Sequence, residues 1–193
     1  MKRFFVTCLS ASLLALVSGY AAFAAQPGFS ADFKATDAKG KVTTGRFYSS
    51  GDRIRQEMTT DRGKTVVILR LDKKVSWTLL PDNKYMETAL TFDPSHSQAY
   101  AKNTYTEKVI GSEKVNGVVC RVIQITYKDR KNGIMIKWVP NKSEIPLKIQ
   151  TKNAAGKVTS TTEFSNVKTG KQPASLFEIP AGYEKFALPS FSF

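Results

Sequence analysis

Lys64-Thr65-Val66-Val67-Ile68-Leu69-Arg70-Leu71 is followed, across Asp72-Lys73-Lys74, by Val75-Ser76-Trp77-Thr78-Leu79-Leu80. Each run is apolar on both of its alternating faces: Val66 and Ile68 against Val67 and Leu69, then Trp77 and Leu79 against Leu80. The pair therefore reads as two adjacent strands of a sheet that something covers on both sides. Upstream, Phe29 to Thr36 alternates strictly, with Phe29, Ala31, Phe33 and Ala35 on one face and Ser30, Asp32, Lys34 and Thr36 on the other. Ala38-Lys39-Gly40 turns the chain into a strand over Lys41 to Ser50, and Gly51-Asp52 turns it into another over Arg53 to Met58. Downstream, Pro81-Asp82-Asn83 is a turn, since proline presets φ and Asn tolerates the left-handed region; it leads into Lys84 to Thr88.

After these six strands, Asp93-Pro94-Ser95 has the form of a helix start. A short, polar helix is expected over Ser95 to Asn103, in the position of a lid. Strands resume at Tyr105 to Val115, Val118 to Lys128, Ile134 to Val139, Leu147 to Lys152 and Val158 to Val167, parted by Asn116-Gly117, Asn132-Gly133 and Ala154-Ala155-Gly156. The tail Ser175-Leu176-Phe177-Glu178-Ile179-Pro180-Ala181-Gly182-Tyr183 is apolar and proline-flanked, and is expected to lie across the body as an irregular strap. The expectation is a mostly β protein: an antiparallel meander of about eleven strands, which twist forces to curl into an open barrel or a sandwich.

The first residues carry an export signal. Lys2 and Arg3 precede an apolar run from Leu9 to Val17, and Ala22-Phe23-Ala24 supplies a small-x-small cleavage site, so residues 1–24 read as a signal peptide and 25–193 as one domain. The run is too short and too rich in small residues for a comfortable span of about 20 residues. Cys8 precedes the run instead of ending it, which argues against a lipoprotein. Cleavage removes two of the charges behind the formal +13 and also Cys8, so the mature domain stays basic and keeps Cys120 alone, within Val118-Val119-Cys120-Arg121-Val122-Ile123. A small buried hydrophobe fits that setting better than a reactive thiol.

Little in the chain suggests catalysis. The single histidine, His96, has no Cys or carboxylate cluster beside it, and no nucleophile-elbow, zinc, Walker or dinucleotide pattern occurs. No cofactor or metal is called for, and a non-enzymatic protein is expected. What stands out is Arg53, Arg55 and Arg70 near Trp77, Tyr85, Trp138 and Tyr183, with Arg53 and Arg55 on one strand face. These residues read either as a cationic mouth on an apolar cavity, gripping an anionic amphiphile through guanidinium forks, or as a solvated basic face over core aromatics. Export argues against a nucleic-acid partner.

Three stretches, Gly51 to Met58, Leu69 to Pro81 and Lys84 to Glu87, together with the ending Phe177-Glu178-Ile179-Pro180-Ala181-Gly182-Tyr183, resemble a widespread family of exported bacterial domains. That family is similar to the outer-membrane lipoprotein-sorting proteins, the LolA/LolB and RseB-like group. The resemblance implies an unclosed half-barrel with one or a few short helices over the concave side. It also implies an apolar groove for a lipid or acyl chain, in a periplasmic carrier, chaperone or sensor. The other class of function open to the sequence is a structural or sensory protein that binds anionic envelope components, a membrane surface or an envelope protein through its basic exterior.

Overall fold

The computed structural model describes residues 28–60, 63–90 and 105–186. All eleven expected strands are present: β1 (Phe29–Asp37), β2 (Val42–Ser50), β3 (Arg53–Thr60), β4 (Gly63–Arg70), β5 (Val75–Leu80), β6 (Lys84–Ala89), β7 (Tyr105–Val115), β8 (Val118–Tyr127), β9 (Ile134–Pro140), β10 (Lys148–Lys152) and β11 (Val158–Thr169). A twelfth, β12 (Glu184–Lys185), ends the strap. Helical structure among the described residues is confined to three 3-10 turns, Leu71–Lys73, Arg130–Asn132 and Ala174–Phe177. The signal sequence, the helix expected over Ser95 to Asn103 and His96 lie outside the described residues.

The twelve strands form one curved, unclosed sheet in the order β12-β6-β5-β4-β3-β2-β1-β11-β10-β9-β8-β7. Two antiparallel meanders, β1 to β6 and β7 to β11, are thus joined back to back through the β1–β11 pairing. The expected curved, unclosed antiparallel sheet is thus present, and β6 and β7, consecutive in sequence, stand near its opposite ends. The turns follow local chemistry. Asn116 and Gly117, at φ 49 and 81, close the β7–β8 hairpin in the left-handed conformation that Asn-Gly adopts at little cost. At Gly45, an added Cβ would sit 1.8 Å from the Glu57 carbonyl oxygen, so β2 and β3 approach too closely there for any side chain.

Strict alternation in β1 sends Phe29, Ala31 and Phe33 to one face, where none is more than 4% exposed. That face carries a continuous cluster reaching from Ile54, Met58, Val67 and Leu69 on β3 and β4 to Ile125, Tyr127 and Met135 on β8 and β9. The cluster takes in residues of every strand from β4 through β8 in sheet order, so it marks one continuous face, which we call the inner face. Phe47 stacks on Phe29 at 5.4 Å between ring centres and meets Phe164 edge-on at 5.9 Å. Burial pushes the phenol of Tyr127 up to about 12, with a smaller push from Tyr105. Irregular steps in the ladders at Ser30/Asp32, Val109/Gly111 and Thr151/Lys152 add local bend.

The outer face holds two separate apolar clusters. One is Ile68 and Trp77 under Phe177 of the strap; the other is Val115, Cys120, Val122, Ile136 and Trp138 in the second meander. Cys120 is fully buried, and burial pushes its thiol up, helped by the Glu113 carboxylate against an opposing backbone hydrogen bond at Val115. Both effects disfavour the reactive thiolate. Cys120 is therefore expected to label with a bulky thiol reagent only at the rate at which the domain opens, and rapidly in denaturant. Fast labelling under native conditions, followed by intact mass, would contradict this packing.

Candidate functional site

The outer face of β3 to β6 gathers most of the residues singled out from the sequence. Register places Arg53 opposite Arg70, Arg55 opposite Ile68, Ile68 opposite Trp77, and Trp77 opposite Glu87. Two guanidinium groups directly across a ladder repel one another. The strap resolves the conflict by giving each a different partner.

Arg70 is 5% exposed although charged. Its Nε and Nη2 donate a bidentate pair to Asp72 at 2.8 and 2.7 Å, and its Nη1 donates to the Phe177 carbonyl at 3.3 Å and to Glu178 at 2.5 Å. The Arg70 hydrogen bond and charge hold the Asp72 carboxyl below the usual carboxylate value, against a smaller opposing effect of burial. Arg55 donates from Nε to Glu57 at 2.7 Å and from Nη1 to the Leu176 carbonyl at 3.2 Å. Arg53 instead lies over the ring of Phe177, 5.4 Å from its centre, with longer contacts of 3.5 and 3.4 Å to Ser50. Phe177 itself is fully buried against Ile68 and Trp77, so the strap is clamped by an aromatic plug and three arginines.

Trp77 carries Arg70 and Lys73 over its ring at 5.7 and 5.3 Å, and its indole N–H donates to Glu87 at 2.9 Å. Lys185 of β12 donates to the same carboxylate at 2.6 Å. Those two donors, Lys185 first, hold the Glu87 carboxyl below its ordinary value. Tyr85 is half-buried beside the strap cluster and lies on β6, where β12 pairs in parallel through Glu184 to Lys84 and Lys185 to Tyr85. Tyr183 precedes that strand, half-buried, its N–H donating to the Pro180 carbonyl at 3.3 Å.

Arg53, Arg55, Arg70, Trp77 and Tyr85 are thus brought together around the strap that Tyr183 ends. Trp138 is not among them. It sits on β9, in the separate outer cluster, where its indole N–H donates to Glu113 at 2.7 Å and Lys148 lies 4.4 Å over its ring. The acidic partners Glu57, Asp72, Glu87 and Glu178 were not singled out from the sequence. For two of them a signal was there: Arg55-x-Glu57 and Arg70-x-Asp72 have the spacing that puts two side chains on the same side of an extended chain. Among the described residues no group of His, Cys, Asp and Glu could hold a metal ion.

The family model of the MucB/RseB N-terminal domain matches residues 53–182, from Arg53 at the start of β3 through Gly182, just before Tyr183. The chain belongs to this family. Its matched span takes in every arginine that grips the strap, and the strap up to Gly182. Among solved structures, an uncharacterised conserved protein from Thermus thermophilus is similar over 91% of this chain and 98% of its own, at 12% identity and a TM-score of 0.61. MucB of Pseudomonas aeruginosa, solved in a MucA/MucB complex, is similar over 89% of this chain at 19% identity and a TM-score of 0.55. This MucB/RseB-family chain spans 62% of that MucB chain. At these identities the likeness is one of fold. No curated protein sequence matches.

Charge-assisted hydrogen bonds are worth about 1.5–3 kcal/mol each, and removing one member of a buried pair strands the rest. Arg70→Met is expected to cost about 2–3 kcal/mol in denaturant unfolding, less than the roughly 3–5 kcal/mol of a fully buried pair because Asp72 and Glu178 reach solvent. Because the folded Asp72 pKa lies below its unfolded value of about 3.8, its contribution is complete above that pH and disappears as acid protonates the folded carboxyl. Asp72→Asn should therefore lower stability at neutral pH and flatten its decline in acid. An unchanged acid limb would show that the pair does not support the fold.

Proposed function

We propose that this MucB/RseB-family domain is a non-enzymatic periplasmic binding protein that holds a lipid or acylated ligand against the inner face of its curved sheet. The observation that carries the reading is the continuity of that face: one apolar surface, rich in Phe and Met, runs from β4 across the sheet to β8. An acyl chain gains roughly 0.8 kcal/mol for each methylene it buries on such a surface. Leu71, Leu90, Tyr105 and Val167 border the cluster as partly buried side chains, the natural place for a ligand to enter. Residues 1–24 act as the export signal and are removed without acylation.

A second reading draws on the outer face, in which cations bind an anionic envelope polymer, a membrane surface or an envelope protein. Arg53 is held less tightly than Arg55 or Arg70 and lies over Phe177, while Lys73 lies over Trp77 beside it. In this reading Arg53 and Arg55 contact the anion, with Arg70, Trp77, Tyr85 and Tyr183 shaping the platform. That a MucB structure has been solved with MucA makes a protein the other class of partner to test.

Protein isolated from its own periplasm should carry a lipid in native mass spectrometry, and its intact mass should begin at Ala25 with no acyl group attached. A fluorescent fatty acid should bind saturably. Leu90→Ser and Tyr105→Ala should each weaken it about tenfold, the equivalent of about 1.4 kcal/mol of lost apolar contact, with small shifts in melting. Arg53→Gln should leave that affinity unchanged and weaken binding to anionic vesicles. Absence of saturable binding by the wild type would remove the lipid reading and leave the outer-face one.

A further inference from the structure

β7 is one edge of the sheet, and among the described residues no strand pairs with its outer side. It is eleven residues long, and every residue from Thr106 to Lys114 is exposed. Among the described residues, four of the exposed large apolar side chains lie in this one hairpin: Val109 at 56%, Ile110 at 47%, Val118 at 43% and Val119 at 45%. A long exposed edge strand is a template for another strand.

The charges on β7 show which strand fits. Its sequence, Tyr105-Thr106-Glu107-Lys108-Val109-Ile110-Gly111-Ser112-Glu113-Lys114-Val115, holds the same Glu-Lys pair twice. In a regular strand, Glu107 and Lys114, seven residues apart, would lie on opposite faces, as would Lys108 and Glu113. The ladder with β8 skips a residue between Val109 and Gly111, and this changes the result. Glu107 pairs with Ile125 and Lys114 with Val119, both on the inner side of β8; Lys108 pairs with Gln124 and Glu113 with Cys120, both on the outer side. The bulge therefore puts the members of each opposite-charge pair on one face.

We infer that β7 pairs antiparallel with β7 of a second copy of this chain, about a two-fold axis at Gly111. With Ile110 left out of the new ladder as it is on the β8 side, Lys108 stands opposite Glu113 of the second copy, and Glu107 opposite Lys114 of the second copy. Symmetry repeats both, giving four opposite-charge pairs. Moving the axis one position either way leaves none of them, so the charges fix the register. Glu107 and Glu113 already accept single contacts, from Lys137 at 3.2 Å and Trp138 at 2.7 Å, and a carboxylate has capacity for more. Gly111 at the axis removes any side-chain clash where the two strands cross. The sheet then continues from one copy into the other.

The inference is tested on the mature chain without added ligand. Sedimentation should show a concentration-dependent dimer that weakens with salt, and Lys108→Glu/Lys114→Glu, which makes each edge wholly acidic, should be monomeric at the same concentrations. An added Cβ at Gly111 meets nothing within 4 Å, so Gly111→Cys should fold. It should form an intermolecular disulfide at least about tenfold faster than Lys157→Cys, an exposed control in the β10–β11 turn, because the axis holds its two copies together. A wild type that stays monomeric, an acidic-edge variant that dimerises as well as the wild type, or equal cross-linking at both cysteines would each overturn the pairing.

Discussion

The interaction on which much else in this domain depends is the buried guanidinium of Arg70. It is the last residue of β4, and its five donors reach Asp72 in the following turn and both the backbone and a side chain of the strap, residues 107 and 108 positions away in sequence. A point charge on a flexible stem could not hold three such partners in one plane; the planar fork of an arginine can. Without that link, Phe177 would be held over Ile68 and Trp77 by apolar contact, the Arg53 ring contact and the single Arg55 bond to Leu176. The Arg53–Arg70 juxtaposition across the β3–β4 ladder would then lack its relief.

The strap is needed because the sheet is apolar on both sides. The inner cluster joins residues of β1 to β4 and β8 to β11 with Ile145 from outside the strands. β4 and β5 present Ile68 and Trp77 outward as well, and the outer surface must be closed by chain from elsewhere. The second meander meets the same need with its own side chains. Trp138 covers Cys120 and Val122, its indole N–H bound to Glu113 and its ring under Lys148, as Trp77 is bound to Glu87 under Arg70 and Lys73. Each half of the sheet thus closes its outer apolar patch with a tryptophan pinned by one carboxylate and capped by cations, worth about 0.5–2 kcal/mol per cation–π contact depending on its exposure.

Strand positions were legible in the sequence because period-two alternation and turn chemistry are local. Asn116-Gly117 and Pro81-Asp82-Asn83 fall where the chain reverses, and Asp82, Asn83 and Asn116 all take up positive φ. The order of strands was not legible, because the β1–β11 pairing joins residues more than 120 positions apart and leaves no local mark. The same limit applies to the site. Arg53 and Arg55 share a strand face by spacing, and the two-sided pattern of β4 and β5 called for a cover. That the cover is Phe177, and that Arg55 and Arg70 bind its backbone instead of pointing unpaired from a mouth, depends on long-range contacts. Trp138 was grouped with Trp77 by residue type, and only the strand order separates them.

Alternation along β4 also ties the two faces together. Val67 and Leu69 belong to the inner cluster, while Ile68 and Arg70 belong to the strap clamp, so one strand carries both surfaces in successive residues. A ligand that displaced Val67 or Leu69 would move the backbone that positions Arg70, and close-packed interiors transmit such shifts instead of absorbing them. The strap therefore does more than close an apolar patch: it stiffens, from outside, the part of the sheet whose inner side is proposed to receive the ligand. The family match ends at Gly182, just after this clamp, and the arginine grip is what gives that end of the domain a fixed place on the sheet.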